Sequence, residues 1–195
     1  KIVLASSSET RVNILKKYID SFLVKPHKIN ENSFKTDRQP RKIVNELAKN
    51  KALSIKNDYP NCMIIGSDQI LICDRKILSK PKTLKEGKQN LLFLRNKNHR
   101  LFSSIYILHN DECLYSRTTS ALLFFRNVLE KEINAYISEN QKTVLSTVGS
   151  YKIEENHKHN FIKVIRGDKE TILGFPIKDL GIFFTFTFFL GRATC

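Results

Sequence analysis

Short apolar runs, helical spacings of three and four, and clusters of turn residues follow one another along the chain with few interruptions. Residues 1–5 form an apolar run that reads as a first strand and halts at Ser6, Ser7 and Ser8. A helical pattern follows, with Ile14, Leu15, Tyr18 and Ile19 on one face, and residues 22–24 read as a second strand. After a polar loop at 25–39, Pro40 suits the first turn of a helix that places Ile43, Val44, Leu47, Ala48, Ala52 and Ile55 on its inner side. Residues 62–66 read as a buried strand that delivers Ser67, Asp68 and Gln69 at its end. Residues 70–73 continue extended to a turn at Asp74, Arg75 and Lys76. Thr83 with Glu86 forms a capping-box pattern, opening a helix with Leu91, Leu92 and Leu94 inside. Strands are expected at 101–108 and 114–125, joined by a turn around Asn110 and Asp111. A helix is expected at about 129–138 carrying Ile133, Tyr136 and Ile137, then extended stretches at 161–165 and 171–173. Alternating strands and helices with hairpins between them predict an α/β fold, a mixed twisted sheet with flanking helices.

At 195 residues the chain is long enough for one domain with a sizeable core. The working domain is placed at 1–180, followed by a Phe-rich apolar tail at 181–195 whose role the pattern leaves open. The run at 182–190 is too short to span a bilayer, so no membrane partner is expected. With 41% hydrophobic and 27% charged residues the composition excludes a disordered tail, a fibre or a membrane bundle. Thirty-three basic against 19 acidic residues give +14, which favours phosphates, nucleic acid or acidic lipid as partners without choosing among them. Lys outnumbers Arg and Asn is abundant, so biased base usage explains part of that excess equally well. Cys62, Cys73, Cys113 and Cys195 lack paired-ligand spacing, and Cys62 and Cys73 lie in apolar runs, which points to a reduced cytoplasmic setting. The opening residues are too short for a signal-peptide core.

Three groups of residues carry candidate chemistry. Ser6, Ser7 and Ser8 lie between a strand and a helix, with Arg11 one turn inside, a pattern suited to phosphate oxygens and equally to ordinary helix capping. Asp68 at a strand end could take a proton from water or hold a divalent cation, or could simply brace a turn. Glu31 is a possible second carboxylate. Lys51 lies on the apolar face of the Pro40 helix, where a lysine either snorkels or meets an anion, and Lys80 precedes Pro81 in an extended conformation. Neither a P-loop nor a dinucleotide fingerprint is present, and the histidines lack metal-ligand spacing.

In order, these residues resemble the Maf family of nucleoside triphosphate pyrophosphatases. The resemblance rests on Leu4-Ala5-Ser6-Ser7-Ser8-Glu9-Thr10-Arg11, Asn30-Glu31, Leu47-Ala48-Lys49-Asn50-Lys51-Ala52, Gly66-Ser67-Asp68-Gln69, Lys80-Pro81 and His99. It continues through Phe125-Arg126, the stretch 149–154, Gly167-Asp168 and Gly174-Phe175-Pro176-Ile177, covering residues 1–180. The resemblance implies a two-lobed fold around a deep central cleft, similar to inosine triphosphatases, and a homodimer. It implies hydrolysis of a nucleoside triphosphate to monophosphate and pyrophosphate with Mg²⁺ or Mn²⁺. By the same resemblance Asp68 is the general base, Lys51 and Lys80 act beside it, Ser6, Ser8 and Arg11 bind phosphate, and Glu31 with Asp68 places the metal. Thr10, Gln69 and Glu154 would set substrate choice, and Gln69 with Glu154 resembles the branch acting on 7-methyl-GTP. The pattern departs at Glu9, Thr10 and Asn30, where the family more often has Pro, Arg or Trp, and an acid. A catalytically weakened nucleotide- or nucleic-acid-binding regulator on the same fold is the alternative expectation.

Overall fold

The computed structural model describes residues 1–30, 39–178 and 180. Seven strands build one mixed sheet: β1 (Ile2–Ala5), β2 (Leu23–Lys25), β3 (Met63–Cys73), β4 (Lys76–Leu78), β5 (Lys97–His109), β6 (Glu112–Phe125) and β7 (Ile162–Arg166). Their order is β2-β1-β3-β5-β6-β7, with β4 hairpinned back onto β3. β1 runs parallel to β2 and β3, and the remaining pairs are antiparallel. The helices are α1 (Glu9–Leu15), α2 (Pro40–Leu53), α3 (Leu84–Leu94), α4 (Glu130–Glu139), α5 (Gln141–Ser146), α6 (Asn156–His159) and α7 (Lys169–Ile172). The expected mixed sheet with flanking helices is therefore what forms.

Alternation along the first strand feeds both faces of the sheet. Ile2 and Leu4 join Ile14, Leu15, Ile19, Ile65 and Ile105 in one core, while Val3 and Ala5 pack with Ala48, Ala52, Ile55 and Ile64 beneath α2. A separate core gathers Leu71, Cys73, Leu91, Leu94, Leu123, Phe125, Ile133 and Tyr136 between the long antiparallel strands and α3 and α4. β3 threads both regions, with its buried polar residues Ser67 and Asp68 between the two apolar ends. α2 lies across β3 and β5. That approach depends on Gly66, because a Cβ there would come 2.1 Å from the carbonyl oxygen of Ala48.

Four expectations need correction. Asp68 does not end a strand. β3 runs unbroken for 11 residues, since β5 keeps pairing with it well past the end of β1, Asp68 opposite Ser104. Residues 171–173 are not extended: Asp168 caps α7 by accepting from the Thr171 amide at 2.7 Å, which turns the segment helical. At the start of α3, Thr83 accepts from the Glu86 amide as expected, but the Glu86 carboxylate reaches the Lys82 amide instead of closing the box on Thr83. α1 stops at Leu15, so Tyr18 leaves the helical phase and is 38% exposed while Ile19 stays buried. Glu31 and the tail at 181–195 lie outside the described residues. Among the described residues no helix is long and apolar enough to cross a membrane.

Candidate active site

α2 and β3 bring together two charges distant in sequence. The apolar face that seats α2 on the sheet also carries Lys51, which is 2% exposed, and its ammonium lies 3.0 Å from Oδ1 of Asp68. A lysine so deeply enclosed requires a partner of this kind, because an unpaired ammonium would be strongly disfavoured there. Oδ1 also accepts from the Gln69 amide at 2.9 Å and lies 3.9 Å from the Arg11 guanidinium. Oδ2 has no partner among the described residues.

Arg11 reaches inward from α1. It donates through Nη1 to the Ser67 carbonyl at 2.8 Å and through Nε to the Gly174 carbonyl at 3.1 Å. Ser67 Oγ donates to the same Gly174 carbonyl at 3.0 Å, and Gly174 takes φ +80°, a backbone state natural to glycine. Ser8 Oγ accepts from the Arg11 amide and Ser6 Oγ from the Ser8 amide, so both hydroxyls also shape the turn into α1. The capping role expected of these serines is what their hydrogen bonds show.

In front of these groups opens a cavity of about 270 Å³, lined by Ser6, Ser8, Arg11, Lys51 and Lys80 together with Lys142, Thr147 and Lys152. A smaller adjoining cavity of about 90 Å³ is walled by Leu101, Tyr151, Ile172 and Leu173, with Thr10 and Glu154 among its polar lining. Ser8, Thr10, Thr147 and Lys152 border both. Asp68 lines neither cavity directly and stands behind Lys51. Gln69 also lines neither: its Nε2 lies 3.0 and 2.9 Å from the carbonyls of Thr171 and Ile172 and 3.1 Å from Ser103 Oγ. Of the expected site residues, then, the structure gathers Ser6, Ser8, Thr10, Arg11, Lys51, Lys80 and Glu154 around the two adjoining cavities, with Asp68 directly behind Lys51 and Gln69 behind the wall.

Lys142, Thr147, Tyr151 and Lys152 were not expected from the sequence. Tyr151 and Lys152 lie in the stretch 149–154 that carries the family resemblance, whereas Lys142 and Thr147 lie outside it. Tyr151 is buried, and its hydroxyl sits 2.6 Å from Nε2 of His99 on β5. Burial pushes the His99 pKa down to about 4, with the Lys97 backbone pulling weakly the other way, so the ring is neutral near pH 7.

Chain-wide comparison fits this arrangement. Residues 1–184 match the family model described as Maf-like protein, and the chain belongs to that family. A nucleoside triphosphate pyrophosphatase of Paramagnetospirillum magneticum is 31% identical over 90% of this chain and 92% of that protein. A 7-methyl-GTP pyrophosphatase of Bartonella henselae is 31% identical over 92% and 91%. A dTTP/UTP pyrophosphatase of Pyrococcus abyssi is 34% identical over 91% of each.

Proposed function

We propose that this chain hydrolyses a nucleoside triphosphate to the monophosphate and pyrophosphate. The observation that carries the proposal is the buried Lys51–Asp68 pair at the wall of a cleft lined by Arg11, Lys80, Lys142 and Lys152. Five basic side chains around about 270 Å³ suit a polyanion of triphosphate size. In the reaction a water oxygen bonds to the α-phosphorus, the α–β anhydride bond breaks, and pyrophosphate departs with the bonding pair. Asp68 takes the proton from that water, and Lys51 and Lys80 hold the charge that gathers on the departing oxygens. Lys51 is well placed for this, since it lines the cleft while touching the carboxylate behind it. A bound triphosphate gives its ammonium a further anionic partner and frees Asp68 for the water.

A divalent cation would complete the site. Oδ2 of Asp68 is a hard oxygen donor without another described partner, which suits Mg²⁺ or Mn²⁺ held by one or two carboxylates and the substrate's own phosphates. The cation would add further neutralisation of phosphate charge. Glu31 is the natural second carboxylate by family resemblance. The same resemblance supports a homodimer, and Cys62, Cys73 and Cys113, free among the described residues, suit a cytoplasmic setting.

The smaller cavity receives the base. Its apolar walls fit a flat ring, and Glu154 offers a carboxylate to the amino edge and positive charge of a 7-methylguanine. Gln69 acts on the same pocket indirectly, by holding the turn that presents Ile172 and Leu173. Pyrophosphate release from 7-methyl-GTP, dTTP, UTP, CTP and GTP with Mg²⁺ or Mn²⁺ tests the proposal. Release should depend on metal, favour 7-methyl-GTP, and drop about a hundredfold or more in Asp68→Asn. A folded protein that releases none from any of the five would overturn it and favour the nucleotide- or nucleic-acid-binding alternative.

A further inference from the structure

A nucleotide bound as proposed must pass from the small cavity to the large one through its sugar and α-phosphate, since those groups join the base to the β- and γ-phosphates. Of the residues bordering both cavities, Ser8, Thr10 and Thr147 are neutral and Lys152 is basic. The cleft's other cations, Arg11, Lys51, Lys80 and Lys142, line the larger cavity and not the smaller one. Lys152 is half-buried, and its ammonium makes no ion pair or hydrogen bond with any described residue. A partly desolvated cation of that kind favours an anionic ligand.

Its backbone is firmly placed. Lys152 follows Tyr151, which is anchored on His99, and its carbonyl accepts from the Glu155 amide at 3.3 Å. Two successive positive φ angles, +76° at Gly149 and +66° at Ser150, turn the chain just before it. A lysine on a fixed backbone delivers a point charge to a defined position at low entropic cost.

We propose that Lys152 binds the α-phosphate, the group that stays with the monophosphate product and is absent from pyrophosphate. This rests on the pyrophosphatase reading above. The test is calorimetric binding of 7-methyl-GMP, dTMP and UMP, and separately of pyrophosphate, to the wild type, Lys152→Met and Lys152→Arg. Expected in Lys152→Met is a loss of about ten- to a hundredfold in affinity for the best-bound monophosphate with pyrophosphate binding unchanged. Lys152→Arg should recover most of the loss, and thermal melting should show all three proteins equally folded. Weakening of pyrophosphate alone would place Lys152 on the leaving group and overturn the assignment, as would equal weakening of both ligands, the mark of a general electrostatic attraction, or no weakening of either. An active wild type with indifferent Lys152 variants defeats this proposal alone. A wild type that neither releases pyrophosphate nor binds a monophosphate defeats the pyrophosphatase reading and this proposal with it.

Discussion

Lys51 and Lys152 line the same cleft from two differently built regions. Lys51 stands on a 14-residue helix packed over the longest parallel-paired strand, and its partner Asp68 lies inside that strand. Lys152 follows a 3₁₀ turn with consecutive left-handed residues, in a stretch of short helices. The first region fixes charges by burying them between regular elements, which suits groups that must hold their place during bond breaking. The second holds its side chains through turns and contacts such as the buried Tyr151–His99 hydrogen bond, which suits recognition of a variable base.

The largest effect that would break this contrast is expected at Lys51. Removing one member of a buried ion pair strands the other, so Lys51→Met should cost about 3–5 kcal/mol of stability as well as activity. The double variant Lys51→Met/Asp68→Asn should recover a large part of the stability and none of the activity, because neither charge of the pair is then left without the other. Urea unfolding of the two single variants and the double variant measures the coupling. A coupling energy near zero would mean that the pair contributes nothing to holding α2 on β3.

The second effect belongs to the turn region. His99 has a pKa depressed to about 4 in the folded state, against an ordinary value near 6.5. Between those values the unfolded chain binds the extra proton, so stability is full above about pH 6.5 and falls as pH drops towards 4. Below about pH 4 both states are protonated and this contribution levels off. At 1.36 kcal/mol per pH unit the loss is on the order of 3 kcal/mol. Urea midpoints from about pH 7 to pH 4 should slope less steeply in His99→Gln, whose amide can still meet the Tyr151 hydroxyl without titrating. Parallel slopes in the two proteins would assign the acid sensitivity elsewhere.

The same division explains what the sequence disclosed. Pro40 and the spacing of Ile43, Val44, Leu47, Ala48 and Ala52 define α2, and with it a lysine on a buried face, because helical periodicity is a local property. Asp68 was legible as a residue of interest but not as a mid-strand one. Strand length there depends on β5 pairing across residues more than thirty positions away, which no local pattern records. Segment 171–173 has the β-branched content of a strand, yet a cap at Asp168 makes it helical. α5 is six residues long with no side-chain cap, so Lys142 and Thr147 had no periodic signal to place them. Gln69 was visible in the sequence, but its bonds to Thr171 and Ile172 lie about a hundred residues away and are purely tertiary.

The smallest effect separates stability from recognition at the edge of the cleft. Glu9 and Lys142 are 3.9 Å apart with side chains 83% and 90% exposed, a geometry in which solvent screens most of the attraction. Glu9→Gln should therefore shift unfolding free energy by under about 0.5 kcal/mol. Both residues line the cavity, however, and Glu9 is the carboxylate among its lining residues. Neutralising it leaves Arg11, Lys51, Lys80, Lys142 and Lys152 facing an incoming polyanion with less opposition, and releases Lys142 towards the phosphates. At about 20 mM salt, KM for a triphosphate substrate should fall about two- to threefold with kcat unchanged, since the added attraction acts equally on ground and transition states. At about 500 mM salt, where the screening length shortens to a few ångströms, the gain should vanish. A KM change that persists at high salt would mean that Glu9 contacts the substrate directly. A change in kcat would place Glu9 in the catalytic geometry, with α1 and Arg11, and the contrast between the two regions would then have to be redrawn to include the first turn of that helix.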